Sequence, residues 1–507
     1  MSYVLGIDIG TSGTKTVLFD VSGNPLAYET VEYPLYQPFN GWAEQNPEDW
    51  YNATIQGIKS VIGKSGINPS EIKGIGLSGQ MHGLVLLDKE DKVIRPAIIW
   101  CDSRSAKECE ELTNMVGKER LIEITANPAL TGFTASKLLW VKNNERSNFQ
   151  KISHILLPKD YVRLKLTGDY ATEVSDASGM QMLDVANRCW SSEILEKLGI
   201  SEDMLGKVYE SVEVTGTISS GISELTGLST STIVVGGASD NGAAAVGTGI
   251  IREGKCFTTI GTSGVVYAHT EKMVLDKLGR VHTFCSPVPN EYHVMGVTQA
   301  AGLSLKWFKD NFCSEDIRIA DEKGIDVYDI LNEMAANSPI GANRLLYLPY
   351  LMGERTPHLD PNCRGVFFGL SAKHNKGDLV RAVMEGVSYS LADCFDVLSE
   401  MNITLDDMTV CGGGANSPVW RRILADLFNL QVKTIHSKQG PALGVAILAL
   451  TALGEYKNIG EACDNIIKVD IKQTANLANN NEYQKYHELY KNLYKSLKDD
   501  FQKLSTF

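Results

Sequence analysis

The tetrapeptide Gly-Thr-Ser-Gly occurs twice in the 507-residue chain, as Gly10-Thr11-Ser12-Gly13 and as Gly261-Thr262-Ser263-Gly264. Each copy is flanked by short β-type runs, residues 3–9 and 14–19 around the first and 255–260 and 265–268 around the second. Each copy therefore reads as the tip of a β-hairpin. Such a tip aims successive backbone N–H groups at one point and makes a nest for an anion. Glycine, serine and threonine are also ordinary turn residues, so a single copy would carry little weight. Two copies, one near the start and one just past the midpoint, predict two related domains holding a nucleotide's phosphates between them.

Composition narrows the partners. With 48 Lys plus Arg against 61 Asp plus Glu, the net charge is −13 and no dense basic run exists, which argues against nucleic acid. The ten cysteines are scattered, with no C-x-x-C pair and no histidine at zinc-finger spacing, as expected for free thiols in a reducing cytoplasm. Met1 leads directly into the first strand without a signal-peptide pattern. The longest apolar stretch, residues 441–453, is too short to span a bilayer and predicts a buried helix, so no membrane partner is expected.

Strand-like runs at 25–33, 72–77, 84–88 and 97–100 alternate with helical stretches at 47–62, 103–115 and 135–143, which indicates an α/β architecture. A strand at 232–235 ends in Gly236-Gly237, and an Ala/Gly-rich helix starts after Asp240. The second hairpin follows, so the expected division is 1–249 and 250–507. Further on, a strand at 409–411 leads into Gly412-Gly413-Gly414, and Ser417-Pro418 reads as an N-cap with proline at the first helical position. Tyr483, Tyr486, Tyr490, Leu493, Leu497, Phe501 and Leu504 fall at three- and four-residue steps, the stripe of an amphipathic packing helix.

A formal G-x-G-x-x-G match at Gly74, Gly76 and Gly79 is followed by Gln80-Met81-His82-Gly83 and another β-like run, not by the helix a dinucleotide site needs. No Walker A sequence is present. Asp8 stands two residues before Gly10, whereas Thr259 fills that place in the second copy, so only one hairpin carries a carboxylate. A carboxylate beside phosphates repels them unless a cation intervenes, and Asp8 is read as holding Mg²⁺ through water. Alternation along residues 4–9 predicts that Leu5, Ile7 and Ile9 are buried and Asp8 lies at the mouth of the turn. For Asp240 two readings stand: a general base for a hydroxyl attacking phosphorus, or a helix cap. Gly412-Gly413-Gly414-Ala415 allows close backbone approach to a ligand or simply a packing turn.

Taken in order, these segments resemble the FGGY family of carbohydrate kinases, within the actin-like (ribonuclease H-like) ATPase group. The resemblance spans nearly the whole chain. Asp8-Ile9-Gly10-Thr11-Ser12-Gly13 resembles the family's first phosphate loop, Trp42-Ala43-Glu44-Gln45-Asn46-Pro47 its early E-Q-x-P segment, and residues 133–140 and 365–370 its two signatures. It implies two actin-like α/β domains with a cleft between them. It also implies catalytic roles for Asp240 as base and for the Mg²⁺-associated Asp8, with Met81, His82, Asp102, Asp240 and Asn241 at the sugar. Thr11, Ser12, Gly13, Lys15, Gly261, Thr262, Ser263, Gly413, Gly414 and Ser417 are implied at ATP, and Gly302 and Lys306 by similarity to the glycerol-kinase branch.

The segments 79–83, 100–104, 157–161 and 353–358 are similar to the branch that phosphorylates pentuloses, which implies D-xylulose as substrate. Gly237-Ala238-Ser239-Asp240 departs from that branch's usual G-G-G-D and is closer to some gluconate-phosphorylating members, so gluconate, ribulose or another polyol stands as the alternative. An actin-like chaperone would carry a peptide-binding domain after its ATPase core, and a sugar-sensing regulator a basic helix-turn-helix; this chain shows neither. A homodimer is compatible with the resemblance.

Overall fold

The computed structural model describes residues 2–507. Two seven-stranded mixed sheets organise the chain. In the first, Tyr3–Ile9 pairs antiparallel with Gly13–Asp20, which pairs antiparallel with Pro25–Glu32. On its other side Tyr3–Ile9 runs parallel to Ile72–Gly79, followed by parallel Ile233–Val235 and antiparallel Val214–Thr217. The second sheet repeats this arrangement. Lys255–Ile260 pairs antiparallel with Gly264–Thr270, which pairs antiparallel with Tyr292–Thr298. Parallel Asp407–Cys411 and Gln431–Ile435 and antiparallel Val469–Gln473 follow on the other side. His282–Cys285 adds one edge strand. The duplication legible in two tetrapeptides thus extends to whole-sheet topology.

The first strand differs from its expected half-burial. Val4, Leu5, Ile7 and Ile9 are all buried, because both faces are covered. Helix Pro47–Ser65 brings Trp50, Ile58 and Val61 against Leu5, Ile7 and Ile9. Helix Pro441–Ala452, from near the other end of the chain, packs on Val4, Val17 and Phe19. Its near-continuous apolar sequence follows from contact on several sides. Asp8 shares the face of Val4 and Gly6 but lies past the start of this covering helix.

Backbones touch at this crossing. A Cβ on Gly6 would stand 1.9 Å from the Ala442 carbonyl oxygen, and one on Gly76 2.0 Å from that of Val445. A Cβ on Gly444 would stand 1.9 Å from the Ala243 carbonyl oxygen of helix Asp240–Thr248. Helix Pro441–Ala452 is therefore wedged between the first sheet and the helix that begins at Asp240. Residue 250 falls in the segment after Asp240–Thr248, but this later helix returns across any simple division of the chain there. The terminal helix Leu477–Leu504 buries Tyr483, Tyr490, Leu493 and Phe501, whereas Leu504 at the end of the stripe is 54% exposed.

Because backbone cannot yield as a side-chain tip can, Gly444→Ala is expected to cost about 1–3 kcal/mol by overpacking. Thermal unfolding should show its Tm lowered by several degrees. Gly63→Ala, where an added methyl meets nothing within 4 Å, should leave Tm unchanged or raise it.

Candidate active site

The two Gly-Thr-Ser-Gly tips close in related ways, through Gly10 N–H to the Gly13 carbonyl at 3.1 Å and Gly261 N–H to the Ser263 carbonyl at 3.1 Å. Around the first tip, Asp8 pairs in register with Lys15 across the hairpin and with Ser78 on the parallel strand. Ser78 Oγ donates to Asp8 Oδ1 at 3.0 Å. Ala238 pairs with Ser78 and Ser239 with Gly79, so the chain enters Asp240 at the end of the same three-strand row.

Ser239 fills one of the two roles that the sequence left open for Asp240. Its Oγ accepts from Gly242 N–H at 3.2 Å and caps the helix, so Asp240 is not needed as the cap. Asp240 Oδ1 instead accepts from Asn241 N–H at 2.7 Å and Asn241 Nδ2 at 2.9 Å. Desolvation pushes the Asp240 carboxyl up to about 7, helped by the negative charge of Asp8. Burial raises Asp8 as well, against the opposing effects of Ser78 and Lys15. Two desolvated carboxylates that feel each other, with one nearby lysine, form a site short of positive charge.

Met81 and His82 stand next to this pair, and Asn241 Nδ2 lies 4.0 Å from Met81 Sδ. His82 has φ +69°, a left-handed conformation costly for a side-chain-bearing residue. Its carbonyl is held by Lys137 Nζ at 2.9 Å and Thr134 Oγ1 at 3.0 Å. Lys137 is fully buried, and desolvation pushes its ammonium down to about 7. The run at 133–140 therefore acts on the backbone of His82. The ring itself donates from Nδ1 to the Gly179 carbonyl at 3.0 Å and packs 4.5 Å from the Phe133 ring. Burial holds its pKa well below the usual histidine value, so Nε2 keeps a lone pair.

On the second half, a cavity of about 420 Å³ gathers Gly261, Thr262, Gly302, Lys306, Gly413, Gly414 and Ser417. Sequence reasoning missed Tyr328, Asn332 and Trp420 on its wall. Ser417 Oγ bonds Asn332 Oδ1 at 2.5 Å and accepts from Trp420 N–H at 3.0 Å. These residues carry no motif and meet only through folding. Lys306 pairs with Asp310 one turn along its own helix.

One expected contact fails. Asp102 is 1% exposed, and its carboxylate is occupied by Ala43 N–H at 2.6 Å and by Arg104, whose Nη2 lies 2.7 Å away. Arg104 in turn reaches Glu44 at 2.7 Å and covers Trp42 at 3.6 Å from the ring centroid. Asp102 is thus a buried brace of the E-Q segment, with both carboxylate oxygens taken by protein donors. A separate group, Asp393, Asp396 and His487, brings potential metal ligands within 4.8 Å, but Lys491 Nζ already supplies a cation 3.0 Å from Asp396.

The profile of the N-terminal domain of the FGGY family of carbohydrate kinases matches residues 3–247, and that of the C-terminal domain residues 256–453. This chain belongs to the FGGY family of carbohydrate kinases. A xylulose kinase of Bacillus subtilis (strain 168) is 40% identical over 499 residues, 98% of both chains. The gluconokinase of the same organism is 32% identical over 509 residues, 100% of this chain and 98% of the relative. A crystal structure titled as a xyloylose kinase from Brucella ovis superposes with a TM-score of 0.90 at 34% identity, covering 98% of this chain and 99% of that one. As an FGGY kinase the chain transfers phosphate from ATP, and among the described residues no helix is long and apolar enough to cross a membrane.

The raised carboxyl carries a stability consequence. The folded state holds the Asp240 proton more tightly than an unfolded chain does, so stability from this group falls as pH rises from the ordinary 3.8 through about 7. Asp240→Asn removes that cost. Its Tm relative to the unsubstituted protein should rise at pH 8 and converge toward it near pH 4.

Proposed function

We propose that the chain phosphorylates a pentulose, converting D-xylulose and ATP to D-xylulose 5-phosphate and ADP, with Asp240 as general base. The observation that carries the reading is the Asp8–Asp240 pair, with its base tuned to about 7, on the first-half side of a chain whose second half forms the Gly413–Gly414–Ser417 cavity. Full-length similarity to a xylulose kinase supports the choice of sugar.

In this mechanism, Asp240 takes the proton from the attacking hydroxyl. The hydroxyl oxygen forms a bond to the γ-phosphorus as the bond to the ADP oxygen breaks, and ADP leaves with that electron pair. Backbone N–H groups of Thr11, Ser12 and Gly13 and of Thr262 and Ser263, in the tip that Gly261 closes, hold the transferring group, and Lys15 adds charge beside Asp8. Asp8, a desolvated carboxylate beside a single lysine, is the oxygen donor a hard divalent cation takes. Mg²⁺, which Asp8 would hold through water, supplies neutralisation of phosphate charge. Met81, His82 and Asn241 orient the sugar. Gly302, Lys306, Gly413, Gly414 and Ser417 hold the nucleoside side of ATP. Closure of the two lobes, divided near residue 250 but with helix Pro441–Ala452 moving with the first, over the substrates would exclude water, which otherwise competes for the phosphoryl group. All ten cysteines are free, in keeping with work in the reducing cytoplasm.

A second reading, gluconate as substrate, is favoured by Gly237-Ala238-Ser239-Asp240 and by the gluconokinase relative. An ADP-release assay over D-xylulose, D-ribulose, L-ribulose, D-gluconate and glycerol decides between them; preference for any sugar but D-xylulose overturns the substrate and keeps the class. Asp240→Ala should abolish turnover while ATP binding, measured by calorimetry, stays within about twofold; undiminished turnover removes Asp240 from the mechanism. The acid limb of kcat/KM should fall near pH 7, and Asp8→Asn, by deleting a negative neighbour, should move what activity remains to lower pH.

A further inference from the structure

The wall facing His82 is built from the other half of the chain. His282 and Phe284 lie on one face of the edge strand His282–Cys285, opposite Met295 and His293 of the neighbouring strand. Phe284 and Met295 pack with Met81 and Phe133 of the first half in one small apolar cluster. The Phe133 ring stands between two imidazoles, 4.5 Å from His82 and 5.6 Å from His282. Phe284 lies 6.1 Å from His82 and 5.8 Å from His282.

Both imidazoles are fixed in the same tautomer. Asn127 Nδ2 donates to the Thr125 and Thr283 carbonyls, so its Oδ1 is the acceptor that faces His282 Nδ1 at 2.9 Å. His282 therefore carries its proton on Nδ1, as His82 does toward Gly179. Burial pushes His282 down to about 3 and His82 well below its ordinary value, so both rings are neutral. Among the described residues no hydrogen bond reaches Nε2 of either ring.

Arg355 supplies the complement. No hydrogen bond or ion pair reaches its guanidinium among the described residues, although its positive charge lowers the pKa of both imidazoles. Its neighbour Glu354 offsets part of that charge through space but makes no bond to the guanidinium: the four bonds to the Glu354 carboxylate come from Thr298 Oγ1, Ser390 Oγ and the N–H groups of Gln299 and Arg355. Desolvation pushes that carboxyl up to about 7, which weakens it as a counter-charge. The segment is pinned to the same sheet as His282, with Thr356 N–H on the Val297 carbonyl at 3.0 Å. A half-buried guanidinium without a protein partner is free to donate to a ligand.

We propose that His282 and Arg355 complete the sugar subsite opposite His82. The two Nε2 atoms accept from sugar hydroxyls, and the guanidinium donates to an sp² oxygen, a ketone or a carboxylate. This rests on the sugar-kinase reading above and deepens it: the subsite takes ketoses and tolerates aldonates, and an alditol lacking that oxygen binds it less well.

Steady-state kinetics of the full chain test it. The unsubstituted chain is first run with D-xylulose and D-gluconate; turnover of neither ends the parent reading and this one together. With a working substrate, Arg355→Met and His282→Phe, the latter keeping the aromatic packing, should each raise the sugar KM by about tenfold or more, the loss expected when a charged or buried hydrogen bond is removed. The ATP KM should move by less than about twofold, and Arg355→Lys should recover part of the loss. Inhibition by xylitol, with no sp² oxygen, should weaken less in Arg355→Met than binding of D-gluconate does. If His282→Phe does not fold, His282→Gln is measured in its place. A sugar KM within about twofold of the unsubstituted chain in both Arg355→Lys and Arg355→Met, or in the folded His282 variant, overturns the proposal while leaving the parent reading intact.

Discussion

The contact on which the rest of the molecule depends is the wedge of helix Pro441–Ala452 between the first sheet and helix Asp240–Thr248. Side chains are absent where the backbones meet, at Gly6, Gly76 and Gly444, because Ala442, Val445 and Ala243 carbonyl oxygens occupy the space. The close approach brings three parts of the chain, separated by hundreds of residues, into one layer. It holds the strand that carries Asp8 in place relative to the helix that begins at Asp240. Apolar burial by Val4, Val17 and Phe19 on one side and Leu443, Ile447 and Leu450 on the other supplies the stabilisation, and the glycines set the spacing.

Within that frame the chemistry comes from withheld solvation. Asp8, Asp240, Glu354, His82 and His282 are each shifted mainly by burial, and always toward the neutral form. Asp8 and Asp240 lie together at the strand ends, and the neutral imidazoles of His82 and His282 flank the Phe133 ring. Elsewhere buried charge is paired, as in Arg104 with Asp102 and Glu44 or Arg163 with Asp160. The contrast separates buried charges held in ion pairs from buried groups whose desolvation is met by neutral donors and acceptors.

Much of the fold was legible because local signals agree. Tetrapeptide tips, flanking β runs and the Ser417-Pro418 cap each fix structure within a few residues. Asp8, Met81, His82 and Asp240 could be singled out because each adjoins such a punctuation mark. Asp102 misled for the same reason: it stands in a recognisable segment, but its arginine partner two residues on consumes the carboxylate. Asn332, Trp420 and His282 carry no local mark at all. They come into play through long-range packing, and Asn332 joins Ser417 across 85 residues. Full burial of the first strand was hidden likewise, since the helix covering its second face lies more than 400 residues away.

That distance bears on how the protein is made. A ribosome delivers the strand Tyr3–Ile9 first and the helix that seals it only after more than four-fifths of the chain has emerged. Until then Val4, Val17 and Phe19 have no cover, and a growing first half presents an apolar sheet face to the cell. The nascent chain thus passes through a long window in which chaperone capture competes with self-association, and the two halves finish folding as one event rather than in turn.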